Sequence, residues 1–283
     1  MRKEVIRQTD FTSRELPKTR MQQFFDVIKH QKLNMVKVAM LQTVFNAPLM
    51  VWAVLYYLLL AAGPSSPFQI TAFAAIALVV CITISDTGLV GSFSCMKKIA
   101  YADGGFASSS FFMGLKEEWK KGIVFGFLHG LVIGVSLVGL VFFISVPGAE
   151  VIVRGFGLAM LLILSVTGTM MNYYSLAQSS CYSNTIGRII KNSFLMSLMR
   201  FPKHFLLFLL HPGVIVGAVI GSFCIPYAGE YIGIGVLVLF SFLNSFGILA
   251  WMLFNLTSFD KFINKENYPD YVNKGLYKER QEN

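Results

Sequence analysis

The chain has 283 residues, a formal net charge of +9, and 55% hydrophobic against only 14% charged residues. About 25% charged residues is usual in a soluble domain, so this composition excludes an ordinary soluble globular protein. Nucleic-acid binding requires a basic face interleaved with polar base-reading residues, and the sequence shows no such pattern.

Six apolar runs follow one another along the chain. Each is long enough to cross a bilayer, because about 20 helical residues span a hydrocarbon core of about 30 Å. The predicted spans cover about 38–62, 70–91, 122–146, 153–176, 205–224 and 232–256. Backbone polar groups in lipid need partners within their own segment, so each span is predicted to be α-helical. The predicted fold class is therefore all-α, with a six-helix membrane domain over 21–256, a polar lead at 1–20 and a polar tail at 257–283.

Basic residues are distributed unequally between the two sides that these spans define. The linkers after the first, third and fifth spans are the short segments GPSSPFQ, PGAEVI and IPYAGEY, and Arg154 is the one basic residue near them. The other 23 of the 24 Lys and Arg residues fall on the opposite side. Because basic loops remain in the cytoplasm, both termini are predicted to be cytoplasmic.

A similar unit occurs three times. It begins with a lysine and an apolar run in KVAMLQTVFNAP, KGIVFGFLHG and KHFLLFLLHPG, which start 84 and 82 residues apart at Lys37, Lys121 and Lys203. Apolar residues at helical spacing precede each lysine, a pattern typical of helices that lie in the membrane interface. We therefore predict three repeats of an interfacial helix and a helical hairpin, with the interfacial helices at 21–35, 108–120 and 185–200. The alternative is three unrelated basic segments that serve only to orient the spans.

Glycines recur every four residues in two of the predicted spans. One set is Gly122, Gly126, Gly130 and Gly134, and the other is Gly213, Gly217 and Gly221. Small residues at this spacing let helix backbones approach closely in lipid. Both sets are predicted to be helix-packing faces, and a glycine-lined permeation path is the alternative.

Polar or ionisable side chains fall in the predicted cytoplasmic halves of five spans: Asp86, His129, His211, Asn46 and Asn172. An ionisable residue at bilayer depth is costly and is expected to face protein or water. These five residues are candidates for one polar layer, and the functional interpretation of that layer is a site that handles protons or solute. The alternative is a set of interhelical hydrogen bonds that only holds the helices together.

Signatures of catalysis or metal binding are missing from the sequence. It contains no G-x-x-x-x-G-K-[ST], H-E-x-x-H or G-x-S-x-G motif. The four cysteines have no zinc-like or C-x-x-C spacing and are predicted to be small buried residues. No catalytic residue, cofactor or metal is therefore predicted.

Three segments resemble the YesL family of uncharacterised bacterial membrane proteins. They are FFDVIKHQKLNMVKVAMLQTVFNAPLM, FASSSFFMGLKEEWKKGIVFGFL and YYSLAQSSCYSNTIGRIIKNSFLMSLMRFPKHFLLFLL, and the resemblance covers about residues 20–225. It implies a multi-pass protein of the bacterial cell membrane, often encoded near carbohydrate ABC-transport systems. It implies no biochemical activity, and the polar lead and long tail depart from the family pattern.

Two functional classes remain open at this stage. The first is a non-enzymatic accessory or regulatory subunit that binds lipid and other membrane proteins, such as an ABC sugar importer. The second is a small-solute transporter or permease component in its own right, which explains the repeats and the buried polar residues. An ABC permease is disfavoured because MRFP at 199–202 is not preceded by the E-A-A sequence of the ATPase-docking loop.

Overall fold

The computed structural model describes residues 17–63, 66–103, 105–145, 150–213 and 229–277. Within these ranges all regular secondary structure is helical. The eight longest helices are α1 Arg20–His30, α2 Lys32–Ala62, α3 Pro67–Ala100, α4 Ala107–Ser145, α5 Val151–Cys181, α6 Ile186–Met199, α7 Phe201–Phe208 and α8 Gly229–Phe259. A π-helical turn, Leu209–Gly213, continues α7. The turns Asp260–Asn264, Lys265–Asn267 and Pro269–Tyr271 follow α8.

Several of these helices have the length and composition of membrane spans. Among the described residues, five helices are long and apolar enough to cross a membrane by themselves. The pair α6 and α7, which is bent by 91°, makes a sixth if it is counted as one span. The prediction of an all-helical fold with five or six helices able to span a membrane is thus confirmed. Predicted span 205–224 is described only as far as Gly213, and the rest of it lies outside the described residues.

Among the described helices, α3 and α4 form the largest helix–helix interface. At about 1.5 Å per residue, α3 is about 51 Å long and α4 about 58 Å long. Both exceed the hydrocarbon core of about 30 Å. Each of the two helices is therefore longer than a bilayer core requires.

The prediction of a separate interfacial helix at 108–120 is wrong, because α4 runs unbroken through this region. Its apolar side packs on the extended end of α3. Phe111 is fully buried, and a Cβ atom added to Gly91 would lie 2.8 Å from the Phe111 carbonyl oxygen. The extension of α3 to Ala100 provides this contact surface, which the sequence periodicity does not reveal.

The first and third predicted interfacial helices have a different outcome. A break at Gln31 separates α1 from α2, and a break at Arg200 separates α6 from α7. The third region is a separate helix, α6, that meets α7 at a bend of 91°. The three regions do not share one structure, because the second is continuous with the helix that follows it, whereas the first and third are separated from theirs by a break.

The hydrophobic core lies toward the end of the bundle where α1 begins and α8 ends, which we call the terminal end. Trp251 and Phe259 of α8, Tyr174 of α5 and Phe93 of α3 are all fully buried there. In contrast, Val51 and Leu55 of α2 and Ile144 of α4 are exposed. Exposed apolar side chains on long helices are the expected surface of a membrane protein in contact with lipid.

A terminal clasp, formed by Arg20, Gln23, Asp260 and Asn264, joins the two ends of the chain. Arg20 forms an ion pair with Asp260 at 3.0 Å, and both side chains are about nine-tenths buried. Asn264 Nδ2 donates to the other carboxylate oxygen of Asp260 at 2.8 Å. Gln23 Nε2 donates to the Ala100 carbonyl at 2.6 Å. The described part of the tail, residues 257–277, is therefore packed against the helices.

Candidate functional site: a buried acid–histidine cluster

Three of the predicted polar residues meet in one cluster between α3, α4 and α5. His129 Nδ1 lies 2.7 Å from Asp86 Oδ2, and the two side chains are only 12% and 4% exposed. Asn172 Nδ2 donates to the same carboxylate oxygen at 2.9 Å. Thr169, which the sequence analysis did not identify, lies 3.2 Å from His129 Nε2. We call Asp86, His129, Thr169 and Asn172 the acid–histidine cluster.

The hydrogen-bond directions in this cluster favour a proton on each ring nitrogen of His129. Asp86 Oδ2 accepts from Asn172, and an ionised carboxylate has no hydrogen to donate, so the same oxygen accepts from an Nδ1–H of His129. The Thr169 hydroxyl donates to the Ser165 carbonyl at 2.8 Å, which leaves its oxygen to accept from Nε2. Asn172 Nδ2 and His129 Nδ1 are then both donors, so the 3.2 Å between them is a packing contact and not a hydrogen bond. The cluster thus has the geometry of an imidazolium–carboxylate pair.

The glycine face of α4 is what brings Asp86 within reach of His129. A Cβ atom on Gly126 would lie 2.9 Å from Thr83 Cα and 3.0 Å from Asp86 Cβ. One on Gly130 would lie 2.9 Å from the Val79 carbonyl oxygen. These distances are shorter than van der Waals contact, so only glycine permits this backbone separation.

The distance from α4 to α3 differs between the two ends of this glycine face. A Cβ atom on Gly122 would lie 2.8 Å from Val90 Cγ2, whereas one on Gly134 would lie 3.3 Å from Val79 Cγ2. The two helices are therefore close together from Gly122 to Gly130 and slightly farther apart at Gly134.

Asn46 belongs to a different hydrogen-bond network from that of Asp86, on the α2 side of α3. Asn46 Oδ1 accepts from Ser85 Oγ at 2.7 Å and from Gln42 Nε2 at 2.9 Å. Gln42 in turn accepts from Ser92 at 3.0 Å. Successive helical residues point about 100° apart, so Ser85 faces α2 while Asp86 faces α4 and α5.

His211 is also separate from the acid–histidine cluster. Its Nε2 lies 2.9 Å from Asn244 Oδ1 on α8, and its buried Nδ1 has no hydrogen-bond partner among the described residues. Gly247 faces the His211 ring so closely that a Cβ atom there would overlap it. The π-helical turn around Pro212 sets this position. His211 thus fixes α7 to α8 rather than joining Asp86.

A further buried histidine, His204, was missed by the sequence analysis. Tyr174 Oη lies 2.9 Å from His204 Nε2 and 3.0 Å from Ser258 Oγ. His204 Nδ1 lies 3.1 Å from the Arg200 carbonyl, so this nitrogen donates and Nε2 accepts from Tyr174. His204 lies between the predicted interfacial helix at 185–200 and the predicted span at 205–224, and it was given no role. Its burial depends on the bend at Arg200, which the sequence pattern does not encode.

The second glycine set and the cysteines are only partly described. Gly213 ends the π-helical turn, whereas Gly217, Gly221 and Cys224 lie outside the described residues. The three described cysteines are free: Cys81, Cys95 and Cys181. In the part of the chain that the structure covers, no group of three or more His, Cys, Asp or Glu side chains has the arrangement of a metal site.

Comparisons with known proteins identify no relative of this chain. No protein-family model matches the chain, and neither a curated protein nor a solved structure does. The resemblance to the YesL family therefore stays a prediction from the sequence.

The acid–histidine cluster has two chemical capacities. As an ion pair with shared hydrogen bonds, it holds three helices in one register, because a buried charge is stable only beside its partner. It also places an imidazole and a carboxylate in direct hydrogen-bond contact, which is the arrangement that proton transfer between two side chains requires. Both capacities depend on the close approach of α3 and α4.

Proposed function

We propose that the chain is a non-enzymatic accessory or regulatory subunit of a membrane assembly. In this proposal the acid–histidine cluster is a structural centre that fixes α3, α4 and α5 as a rigid unit. The resemblance to YesL proteins adds the expectation of a bacterial cell membrane and of a carbohydrate importer of the ABC type as the partner.

The observation that carries this proposal is the enclosure of the Asp86–His129 pair. Its two side chains are almost completely buried, and the glycine contacts of α4 close the surrounding interface. The Asn46 network and the His211–Asn244 pair form hydrogen bonds separately from it. A carrier needs ionisable side chains that reach water or solute during its cycle. Enclosed, locally paired clusters instead support a fixed scaffold.

Affinity purification in mild detergent from the native host tests this proposal. We expect transporter subunits to be enriched in near-stoichiometric amounts with the tagged chain, after chemical crosslinking in intact cells. A tagged multi-span protein of similar abundance is the control. Enrichment no greater than in that control would remove the support for an accessory subunit.

A solute transporter is the second candidate, and one observation favours it. The 91° bend between α6 and α7 precedes a π-helical turn that contains Pro212, and a cavity of about 720 Å³ adjoins both. Broken helices beside a cavity are typical of secondary transporters. Purified protein in liposomes, with a panel of sugars and an internal pH dye, tests this candidate. Solute-dependent flux that Asp86→Asn abolishes would favour the transporter over the accessory subunit.

The membrane orientation is part of the proposal. Most basic side chains lie at the terminal end, as in Lys97, Lys120 and Lys203, which supports a cytoplasmic location for that end.

Two serines provide a matched test of this orientation, because Ser66 precedes α3 and Ser108 lies in the first turn of α4. In a cysteine-free background, Ser66→Cys should react with an impermeant thiol reagent on whole cells. Ser108→Cys should react only after the membrane is opened, and the reverse pattern would invert the orientation.

A further inference from the structure

A groove separates α7 from α8 and opens on the outside of the bundle. Its volume is about 720 Å³. The π-helical turn after α7 approaches α8 closely at His211, where Gly247 makes room for the imidazole ring. Most of the wall is apolar, and its principal side chains are Leu206, Leu207, Leu210, Leu243, Phe246 and Phe254.

The length and openness of this wall suit a lipid chain. On α8 the lining positions extend from Leu243 to Ser258, which is about 22 Å of helix. One leaflet of the hydrocarbon core is about 15 Å deep, so the wall spans the depth of one acyl chain. Leu206 and Leu210 on the rim are 60% and 65% exposed. The groove is therefore open sideways, in the direction from which a lipid enters.

Three cations line the terminal end of the groove: Arg20, Arg200 and Lys203. Asp260 neutralises Arg20, and Asn264 occupies the second oxygen of that carboxylate. The Arg200 guanidinium lies 5.5 Å from the centre of the Phe262 ring. Among the described residues, neither Arg200 nor Lys203 has a carboxylate within ion-pair distance. The mouth therefore has an excess of two positive charges.

The mouth is also at the correct height for a lipid headgroup. Arg200 stands at the bend where the amphipathic α6 meets α7. On α6, Phe194 and Leu198 are exposed apolar side chains, while Arg188 and Lys191 provide charge. A helix of this kind lies at the boundary between headgroups and acyl chains, so the adjoining cations are at the level of lipid phosphates.

From this combination we propose that the groove is a binding site for one anionic phospholipid. The phosphate lies between Arg200 and Lys203, and one acyl chain lies along Leu206, Leu210 and Leu243. Basic pockets between membrane helices are a known mode of recognition for anionic headgroups. The proposal concerns the α7–α8 groove and is independent of the role of the acid–histidine cluster.

Native mass spectrometry of the purified full-length chain tests the charge contribution. The probes are phosphatidylglycerol and phosphatidylcholine with identical acyl chains. A basic residue near an anionic lipid contributes about 1 kcal/mol, and each 1.4 kcal/mol is tenfold in affinity. Arg200→Gln with Lys203→Gln should therefore lower the affinity for phosphatidylglycerol about 30-fold and leave that for phosphatidylcholine nearly unchanged. If the double variant does not fold, Lys203→Gln alone should lower it about fivefold by the same relations.

The matched control is Arg188→Gln with Lys191→Gln, which removes two cations from α6 outside the groove. We expect it to retain wild-type affinity for phosphatidylglycerol. An equal loss in this control, or equal affinity of the wild-type chain for the two lipids, would overturn the proposal.

Two further measurements examine the acyl chain. Ala250→Phe fills the groove from the α8 side and should reduce binding of both lipids more than tenfold, and unchanged binding would place the lipid elsewhere. Inorganic phosphate at millimolar concentration should not displace phosphatidylglycerol. Full displacement would assign the mouth to free phosphate and overturn the lipid site.

Discussion

The α3–α4 hairpin and the α7–α8 pair use small residues in opposite ways. In the hairpin, the space next to Gly126 is occupied by the facing backbone of α3 and by Asp86. In the α7–α8 pair, the space next to Gly247 is occupied by the His211 ring, and Ala250 lines an open groove. A small residue on a helix face therefore does not by itself specify close helix packing. The group that fills the space decides between a closed interface and a binding site.

Polar residues in the two regions differ in the same way. Asp86 and His129 are paired with each other inside the hairpin interface. Arg200 and Lys203 stand at the rim of the groove, where the described residues provide no carboxylate for them. Paired charges in a closed interface stabilise one arrangement, whereas cations at an open rim are available to a ligand. The variants below test this contrast in order of decreasing effect on stability.

Asp86→Ala is expected to have the largest effect. Removing one partner of a buried ion pair typically costs about 3–5 kcal/mol, and this change also takes the acceptor from Asn172. Equilibrium unfolding in mixed micelles with increasing SDS measures the loss. The control is Asp26→Ala, whose pair with His30 is solvent-exposed and should change stability by no more than about 0.5 kcal/mol. A loss below about 1 kcal/mol for Asp86→Ala would contradict the ion pair as the structural centre.

Gly126→Leu should destabilise the protein by about 3 kcal/mol, the upper part of the usual range for overpacking. Its side chain would have to displace Thr83 and Asp86 from the α3 surface. Gly155→Leu on α5 is the matched control, since a Cβ atom there has nothing within 4 Å. The same unfolding measurement compares the two. Similar stability of the two variants would show that α3 and α4 are not held at this distance.

Arg20→Gln should cost about 2 kcal/mol, within the range for hydrogen bonds to charged groups. It removes the ion pair to Asp260 and the donation to the Lys274 carbonyl at 3.0 Å. Hydrogen exchange of residues 260–277 measures the effect, which should be faster exchange in this segment. Exchange in α3 and α4 should stay at the wild-type rate, and equal acceleration there would mean that the clasp and the hairpin open as one unit.

Ala250→Phe is expected to have the smallest effect on stability, within about 0.5 kcal/mol of the wild type. The groove provides space for the added ring, so the overpacking that penalises Gly126→Leu does not arise. SDS unfolding of both variants provides the direct comparison. A loss for Ala250→Phe as large as that for Gly126→Leu would mean that the α7–α8 interface is closed in the folded protein.

The candidate site was only partly predictable from the sequence. Asp86, His129 and Asn172 were identified as costly polar residues in apolar runs, and the structure brings these three together. Asn46 and His211 had the same sequence signal but hydrogen-bond elsewhere. Thr169 and Asn244 were not identified, because hydroxyl and amide side chains are common in membrane helices and become informative only beside a partner.

The helical fold and the location of most spans were determined by the sequence itself. Length and hydrophobicity are local properties, and lipid forces each apolar run to satisfy its own backbone hydrogen bonds. Tertiary structure alone decided the continuous α4, the bend at Arg200, the buried His204 and the groove between α7 and α8. Each of these depends on which neighbouring helix faces a residue. A rotation of about 100° per residue changes that neighbour without changing the hydrophobic pattern.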